Sequence, residues 1–495
     1  MKMPVPDSET IASKGALVAG LRKILPPEDV IDNPAALRAF ESDGLSAYRQ
    51  PPLIAVLPST TGQVAEVLRF CAQHGVKVVP RGAGTSLSGG ALPLADGILL
   101  ALSRFNNILN IDYDNRCLTV QPGVTNLAIS KAVDADGFYY APDPSSQYAC
   151  SIGGNVAENA GGVHCLKYGL TTNNLLGLEA VLINGDVVRI GGAAMERPGY
   201  DLLGLLTGSE GLLAVITEVT VRILPKPPLA RAMLLGFESA TDAARSVSAI
   251  IRAGIIPAGM EMMDKAAVHA VEDFVHAGYP LDVEALLIVE LDGIEAEIDH
   301  GISVASSIAK EHGACFEQVS RSEEERLAFW AGRKAAFAAA GRMSPDYYCV
   351  DGTIPRRALP EVLEAMNEMS ARYGLRVANV FHAGDGNLHP LILYDANVEG
   401  ELERAEDFGA DILRMCVDKG GVLTGEHGVG VEKRDLMEEV FSQTDLDVQQ
   451  RVKCAFDPAS LLNPGKVFPR LRRCAELGAM HVHGGKMPFP ELPRY

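Results

Sequence analysis

Val78-Val-Pro-Arg-Gly-Ala-Gly-Thr-Ser-Leu-Ser-Gly-Gly90 follows a short apolar run, and the reading of its glycines decides the fold. A glycine-rich turn after a strand suggests a dinucleotide-binding βα turn. That fingerprint would need a small residue where Leu87 stands and a helix where Ala91-Leu-Pro93 follows, so neither a Rossmann turn nor a P-loop is present. What remains is a loop of backbone N–H groups with Arg81, Thr85 and Ser86 as further donors, a nest suited to a pyrophosphate.

Short β-type runs surround this loop at Leu53 to Leu57, Val76 to Val79, Ile98 to Leu100 and Cys117 to Val120. The pattern predicts a helix from Thr61 to His74, capped by Thr60 or Thr61 and stopped by Gly75. Two more glycine-rich stretches, Ser151 to Gly162 and Thr207 to Gly211, point to several close backbone approaches to one extended ligand. Residues 1–48 read as a polar, helical N-terminal segment, and Pro225 to Pro228 can continue neither a helix nor a central strand. Beyond them β-runs alternate with helical patterns, which argues an α+β domain with helices covering one face of a sheet; Leu402 to Phe456 reads as helical. The expected divisions are 1–48, 49–228, 229–468 and a tail, 469–495.

A length of 495 residues fits about three domains, or two large ones. Lys plus Arg number 44 against 63 Asp plus Glu, a net charge of 44 − 63 = −19, which disfavours a nucleic-acid partner. The nine scattered cysteines include no C-x-x-C, a pattern of reduced cytosolic thiols that offers no iron–sulfur ligand set. No apolar run approaches the roughly 20 residues needed to span a bilayer, so the chain should be soluble or peripheral.

Chemistry concentrates in two short segments. In Phe381-His-Ala-Gly-Asp-Gly-Asn-Leu-His-Pro390 a turn at Gly384-Asp-Gly386 lets His382 and His389 meet across a hairpin neck. In Gly425-Glu-His-Gly428 flanking glycines let Glu426 and His427 reach a crowded centre. Two imidazoles and a carboxylate with open positions suit a catalytic divalent ion such as zinc or manganese. The pair His481 and His483, without a nearby carboxylate, is a weaker candidate.

Pro142-Asp-Pro-Ser-Ser146, Cys150-Ser-Ile-Gly-Gly-Asn-Val-Ala-Glu-Asn-Ala-Gly-Gly162 and Leu206-Thr-Gly-Ser-Glu-Gly-Leu-Leu-Ala-Val-Ile-Thr-Glu-Val-Thr220 follow the first loop in order. Together these motifs resemble the flavin-binding domain shared by vanillyl-alcohol oxidase and p-cresol methylhydroxylase. The resemblance implies a two-subdomain FAD-binding domain of that type, followed by an α+β substrate domain with a ferredoxin-like sheet and a C-terminal helical part. It implies that Arg81, Gly82, Ala83, Gly84, Thr85 and Ser86 cradle the FAD pyrophosphate. Pro142, Asp143, Ser146, Gly153, Gly154 and Asn155 would line the isoalloxazine and ribityl region, Ile216 the adenine end, and Asn463, in Leu461-Leu-Asn-Pro-Gly-Lys466, a further cofactor contact. The first loop lacks the histidine through which some relatives attach FAD, so a non-covalent flavin is expected.

The two histidine segments resemble the substrate domain of FAD-linked dehydrogenases for D-2-hydroxy acids and glycolate. By that likeness His382, His389 and Glu426 are the metal ligands and His427 is the base. Arg333, in Trp330-Ala-Gly-Arg-Lys334, would bind the substrate carboxylate, with Asn387 beside it. The likeness extends over nearly the whole chain, including Asp346-Tyr-Tyr-Cys-Val-Asp-Gly-Thr-Ile-Pro355 and Arg473-Cys-Ala-Glu-Leu-Gly-Ala-Met-His-Val-His483, and is greatest to flavoprotein subunits of bacterial glycolate oxidases. Phe337 and Cys349 stand where relatives acting on 2-hydroxyglutarate carry polar or basic groups, which favours a small monocarboxylic hydroxy acid.

The expected activity is therefore oxidation of glycolate, and of D-lactate, to the 2-oxo acid, with hydride passing to flavin N5. Electrons would pass to an iron–sulfur subunit in a glycolate oxidase complex that also holds a second flavin-domain subunit. That places the chain in the cytoplasm, touching the inner membrane face through its partners. A stand-alone D-lactate dehydrogenase is the nearest alternative. A metal-dependent hydrolase on the same His and Glu residues would be colourless, and a non-catalytic flavin-holding subunit would bind FAD without reacting with any hydroxy acid.

Overall fold

The helix Thr61–His74 begins where the Thr60 hydroxyl accepts the Gln63 N–H at 3.2 Å and ends at Gly75, whose φ of +64° is left-handed. It packs against a four-stranded sheet ordered Val30–Ile31, Ile54–Val56, Gly97–Ala101 and Lys77–Arg81, the last three parallel. This is a computed structural model, and it describes residues 3–194 and 199–469. His481, His483, the Arg473 to His483 stretch and most of the expected tail lie outside the described residues.

The N-terminal helical expectation needs correction. Helical structure breaks at Ser13 into Ser8–Ala12 and Lys14–Leu21, and Val30–Ile31 joins the first sheet. Leu17, Val18, Leu21 and Leu25 are buried in one core with Ile54, Leu68 and Val78, so apolar burial fixes this segment to the first half of the chain. A five-stranded antiparallel sheet, ordered Ile108–Asp112, Cys117–Val120, Val215–Arg222, Leu175–Val181 and Val187–Gly191, completes that half.

The second half is built on a seven-stranded antiparallel sheet. Four strands, Ala314–Val319, Leu229–Phe237, Ala285–Gly293 and Gly259–Asp264, lie in the ferredoxin-like order 4-1-3-2, and Val377–His382, Asn387–Tyr394 and Asp346–Cys349 extend it. Helices cover both faces, not one. Ala240–Arg252, Glu295–Glu311, Leu359–Tyr373 and Glu401–Asp418 pack on one side, and Lys265–Val275 and Glu323–Ala340 on the other. The central strands are accordingly continuous apolar runs, without the alternation of a half-solvated sheet.

After Gln443–Phe456 the chain returns to the first half. Val78 N–H donates to Leu461 O at 2.8 Å and Asn463 N–H to Val78 O at 2.7 Å, which ties the chain's end to the strand that leads into the first glycine loop. Cys71, Cys117, Cys150, Cys165, Cys315, Cys349 and Cys416 are free thiols; Cys454 is disulfide-bonded, against the expectation of reduced thiols throughout.

Candidate active site

A cavity of about 420 Å³ lies between the halves, within the size range of small-molecule sites. The strand Lys77–Arg81 delivers the first loop to its wall. Ser151 Oγ accepts the Ala83 N–H at 3.3 Å and the Gly154 N–H at 3.4 Å, joining the first loop to the cap of the helix Ile152–Glu158. A Cβ at Gly82 would collide with that hydroxyl, which is why the approach needs glycine. The N–H groups of Gly82, Gly84, Thr85 and Ser86 make no hydrogen bond to protein among the described residues, so the nest has donors free for an anionic group. These observations fit an FAD pyrophosphate.

Of the sequence-predicted cofactor residues, Arg81, Gly82, Ala83, Gly84, Thr85, Ser86, Ser146, Gly153, Gly154, Asn155 and Ile216 line the cavity. Pro142, Asp143 and Asn463 do not. Pro142 O accepts from Asn126 Nδ2 at 3.0 Å, and Asp143 is held by His164 Nδ1 at 2.9 Å. Pro144 and Ser145 take their places on the wall. Asn463 donates to Gly90 O at 3.0 Å and Glu210 O at 2.7 Å, clamping the first and third loops together from behind.

The second half contributes Lys334, Phe337, Ala338, His389, Glu426 and His427. In the hairpin His382 pairs with Asn387 and Val380 with His389, and the two-residue repeat puts His382, Asn387 and His389 on one face. The two imidazoles lie 4.9 Å apart between ring centres, and Glu426 Oε1 stands 3.5 Å from His382 Nε2 and 3.1 Å from His389 Nε2. His427 stacks on His389 at 5.0 Å, with its Nε2 3.9 Å from Glu426 Oε1.

Three carboxylates absent from the expected site residues hold this arrangement. Asp351 accepts from the N–H groups of Gly425 and His427 at 3.1 and 2.9 Å and from Asn387 Nδ2 at 2.9 Å. Glu261 receives Arg333 Nε at 2.6 Å on one oxygen and faces His382 Nδ1 at 2.7 Å with the other. Glu210, in the third glycine loop, accepts the N–H groups of Val429 and Gly430, both at 2.7 Å. Glu261 has a signal in the sequence, a lone charge in the apolar run Met260-Glu-Met-Met263; the other two have none beyond lying in glycine-flanked segments.

Charges follow these contacts. Burial would raise the Glu426 carboxyl, but His382 and His389 hold it well below the usual range. Burial would lower His382, but Glu261 outweighs it and the ring is raised. His427 is pushed down to about 4, mainly by burial, with His389 and Lys433 adding to the effect against Asp351 and Glu426.

Donor atoms of His382, His389 and Glu426 all lie within 4.8 Å of one another. A second group, Cys349, His389 and His427, shares His389, but burial keeps the Cys349 thiol well above its usual range, so it offers no thiolate. The first set fits a divalent ion, and Glu261 orients His382 as an outer carboxylate would. Arg333 is 1% exposed and does not line the cavity. Its Nη2 is buried without a partner, as are Asn387 Oδ1, His389 Nδ1 and His427 Nδ1.

A flavin groove facing a histidine–carboxylate cluster defines a flavin-dependent oxidoreductase. Residues 52–191 match the FAD binding domain family, and residues 226–467 match the family "FAD linked oxidases, C-terminal domain". The chain is 55% identical over 480 residues to glycolate oxidase subunit GlcD of Escherichia coli (strain K12), covering 97% of this chain and 96% of that one. It is 31% identical over 459 residues to a D-lactate dehydrogenase of Anaerostipes hadrus, covering 91% and 96%. The structure of p-cresol methylhydroxylase with substrate bound superposes with a TM-score of 0.77 at 17% identity, covering 93% of this chain and 97% of that one, which bears out the expected fold. The chain belongs to the FAD-linked oxidases. No helix among the described residues is long and apolar enough to cross a membrane.

Proposed function

We propose that the chain oxidises glycolate to glyoxylate. The observation that carries this reading is that the flavin groove, His389, Glu426 and His427 share one small cavity, together with 55% identity to a glycolate oxidase subunit. A 2-hydroxy acid offers a carboxylate and an α-hydroxyl. Arg333 lies behind the cavity wall with Nε fixed by Glu261 and Nη2 unpaired, and we assign to it the charge-assisted contact that would orient the carboxylate. His427 lines the cavity and takes the hydroxyl proton, while Asp351 fixes the backbone that carries it. Phe337, against His389, closes the wall with an apolar ring that cannot pair with a second carboxylate. FAD, when bound along the groove, supplies the two-electron acceptor, and a divalent ion at His382, His389 and Glu426 supplies Lewis acidity.

The flavin is held without a covalent bond: Cys150 lines the cavity, but burial raises its thiol, leaving a poor nucleophile. The chain works as one subunit of a complex that passes electrons to an iron–sulfur partner at the inner membrane face. Support comes from the relative named a subunit and from the lack of any C-x-x-C here. D-lactate, one methyl larger, presents the same groups, and the relative of that name supports it as a second substrate.

Replacing His427 by Gln is the test. Anaerobic flavin reduction by glycolate should slow by roughly 10² to 10⁴ with FAD retained. Nearly full rate in the variant would remove His427 from this role.

A further inference from the structure

A second cavity, of about 690 Å³, lies along the seam between the halves; its lining includes Lys226 and Arg321, whose side chain is 86% exposed. Lys334 lines both this cavity and the flavin cavity. The turn at Asp143 stands between them, with Asp143 on the outer wall and Pro144 to Ser146 on the inner one.

The acids of the outer cavity are already matched. Glu290 meets Arg326 at 2.6 Å and His164 at 3.2 Å, Asp143 meets the other nitrogen of His164 at 2.9 Å, and Asp292 pairs with Lys167. Arg326 is also held by Glu323, and Lys226 by Asp134, so those cations are spent as well. Lys334 is exposed and makes no hydrogen bond or ion pair among the described residues. Its charge is uncompensated where the two cavities meet.

We propose that the outer cavity is the access route of the anionic substrate and that Lys334 is its steering cation. The proposal rests on the 2-hydroxy-acid reading given above. A protein of net charge −19 repels a small carboxylate over about a Debye length, roughly 8–10 Å, so a free cation inside a cleft decides how often the anion arrives. Lys334 acts on approach, upstream of the proton and hydride steps. Its loss lowers the second-order rate of flavin reduction and leaves the saturating rate in place.

The experiment compares FAD-loaded wild type with Lys334→Gln and Lys334→Arg. In anaerobic stopped-flow reduction by glycolate at several salt concentrations, Lys334→Gln should lower the second-order constant about three- to tenfold and flatten its salt dependence, with the limiting rate unchanged. Lys334→Arg should restore both. Independently, iodide quenching of flavin fluorescence should weaken in Lys334→Gln while quenching by neutral acrylamide stays the same. Unchanged iodide quenching, an unchanged second-order constant or a fall in the limiting rate overturns the proposal. If no hydroxy acid reduces the wild-type flavin but iodide quenching still follows Lys334, the substrate reading fails and the anion route stands.

Discussion

Glu261 Oε1 lies 2.7 Å from His382 Nδ1, and the same carboxylate takes Arg333 Nε on its other oxygen at 2.6 Å. One buried acid thus sets both a candidate metal ligand and a candidate substrate anchor. Glu261→Gln keeps the size but loses the charge that fixes the His382 tautomer. Divalent-ion affinity, measured by calorimetry on FAD-loaded protein, should fall roughly 10- to 100-fold. An affinity within twofold of wild type would detach Glu261 from the ion.

Glu210 joins the flavin-binding half to the loop that carries Glu426 and His427. Glu210→Ala leaves the Val429 and Gly430 N–H groups without their acceptor, at a cost of about 1–3 kcal/mol. Chemical denaturation should show that loss together with slower flavin reduction. Unchanged stability would mean the loop is held by Asp351 alone.

Asp43 sets a pH dependence. Burial pushes its carboxyl up to about 6 from an ordinary 3.8, against the pull of the Leu45 N–H and Lys466. Between those values the native chain holds more proton than the unfolded one. This group's contribution is therefore present in full below about 3.8 and lost as pH rises through about 6. A shift of this size corresponds to about 3 kcal/mol. The unfolding free energy of wild type minus that of Asp43→Asn should fall by about that amount from pH 3.5 to pH 7; a flat difference contradicts the assignment.

Much of the site was legible because its signals are local. Thr60 and Gly75 bound their helix through their own caps, and the Gly384-Asp-Gly386 turn brings His382 to His389 by simple strand alternation. The first loop was readable because a run of glycines marks close backbone approach. The locking of Arg333 by Glu261, 72 residues away, left only a faint trace. Likewise Asn463 clamps loops 253 and 373 residues earlier, a contact that no periodicity encodes. The break at Ser13 escaped because the spacing of Leu17 and Leu21 is the same whether or not the first turn is continuous.

The central claim is that a flavin held by the first half is reduced by a small 2-hydroxy acid bound at the second. The direct measurement is the visible spectrum of the purified protein, recorded anaerobically before and after glycolate, D-lactate and 2-hydroxyglutarate. The account predicts a yellow protein whose visible flavin band bleaches with glycolate or D-lactate and persists with 2-hydroxyglutarate, as expected when the cofactor carries the redox step. A colourless protein, or a yellow one that none of these acids bleaches, would contradict it.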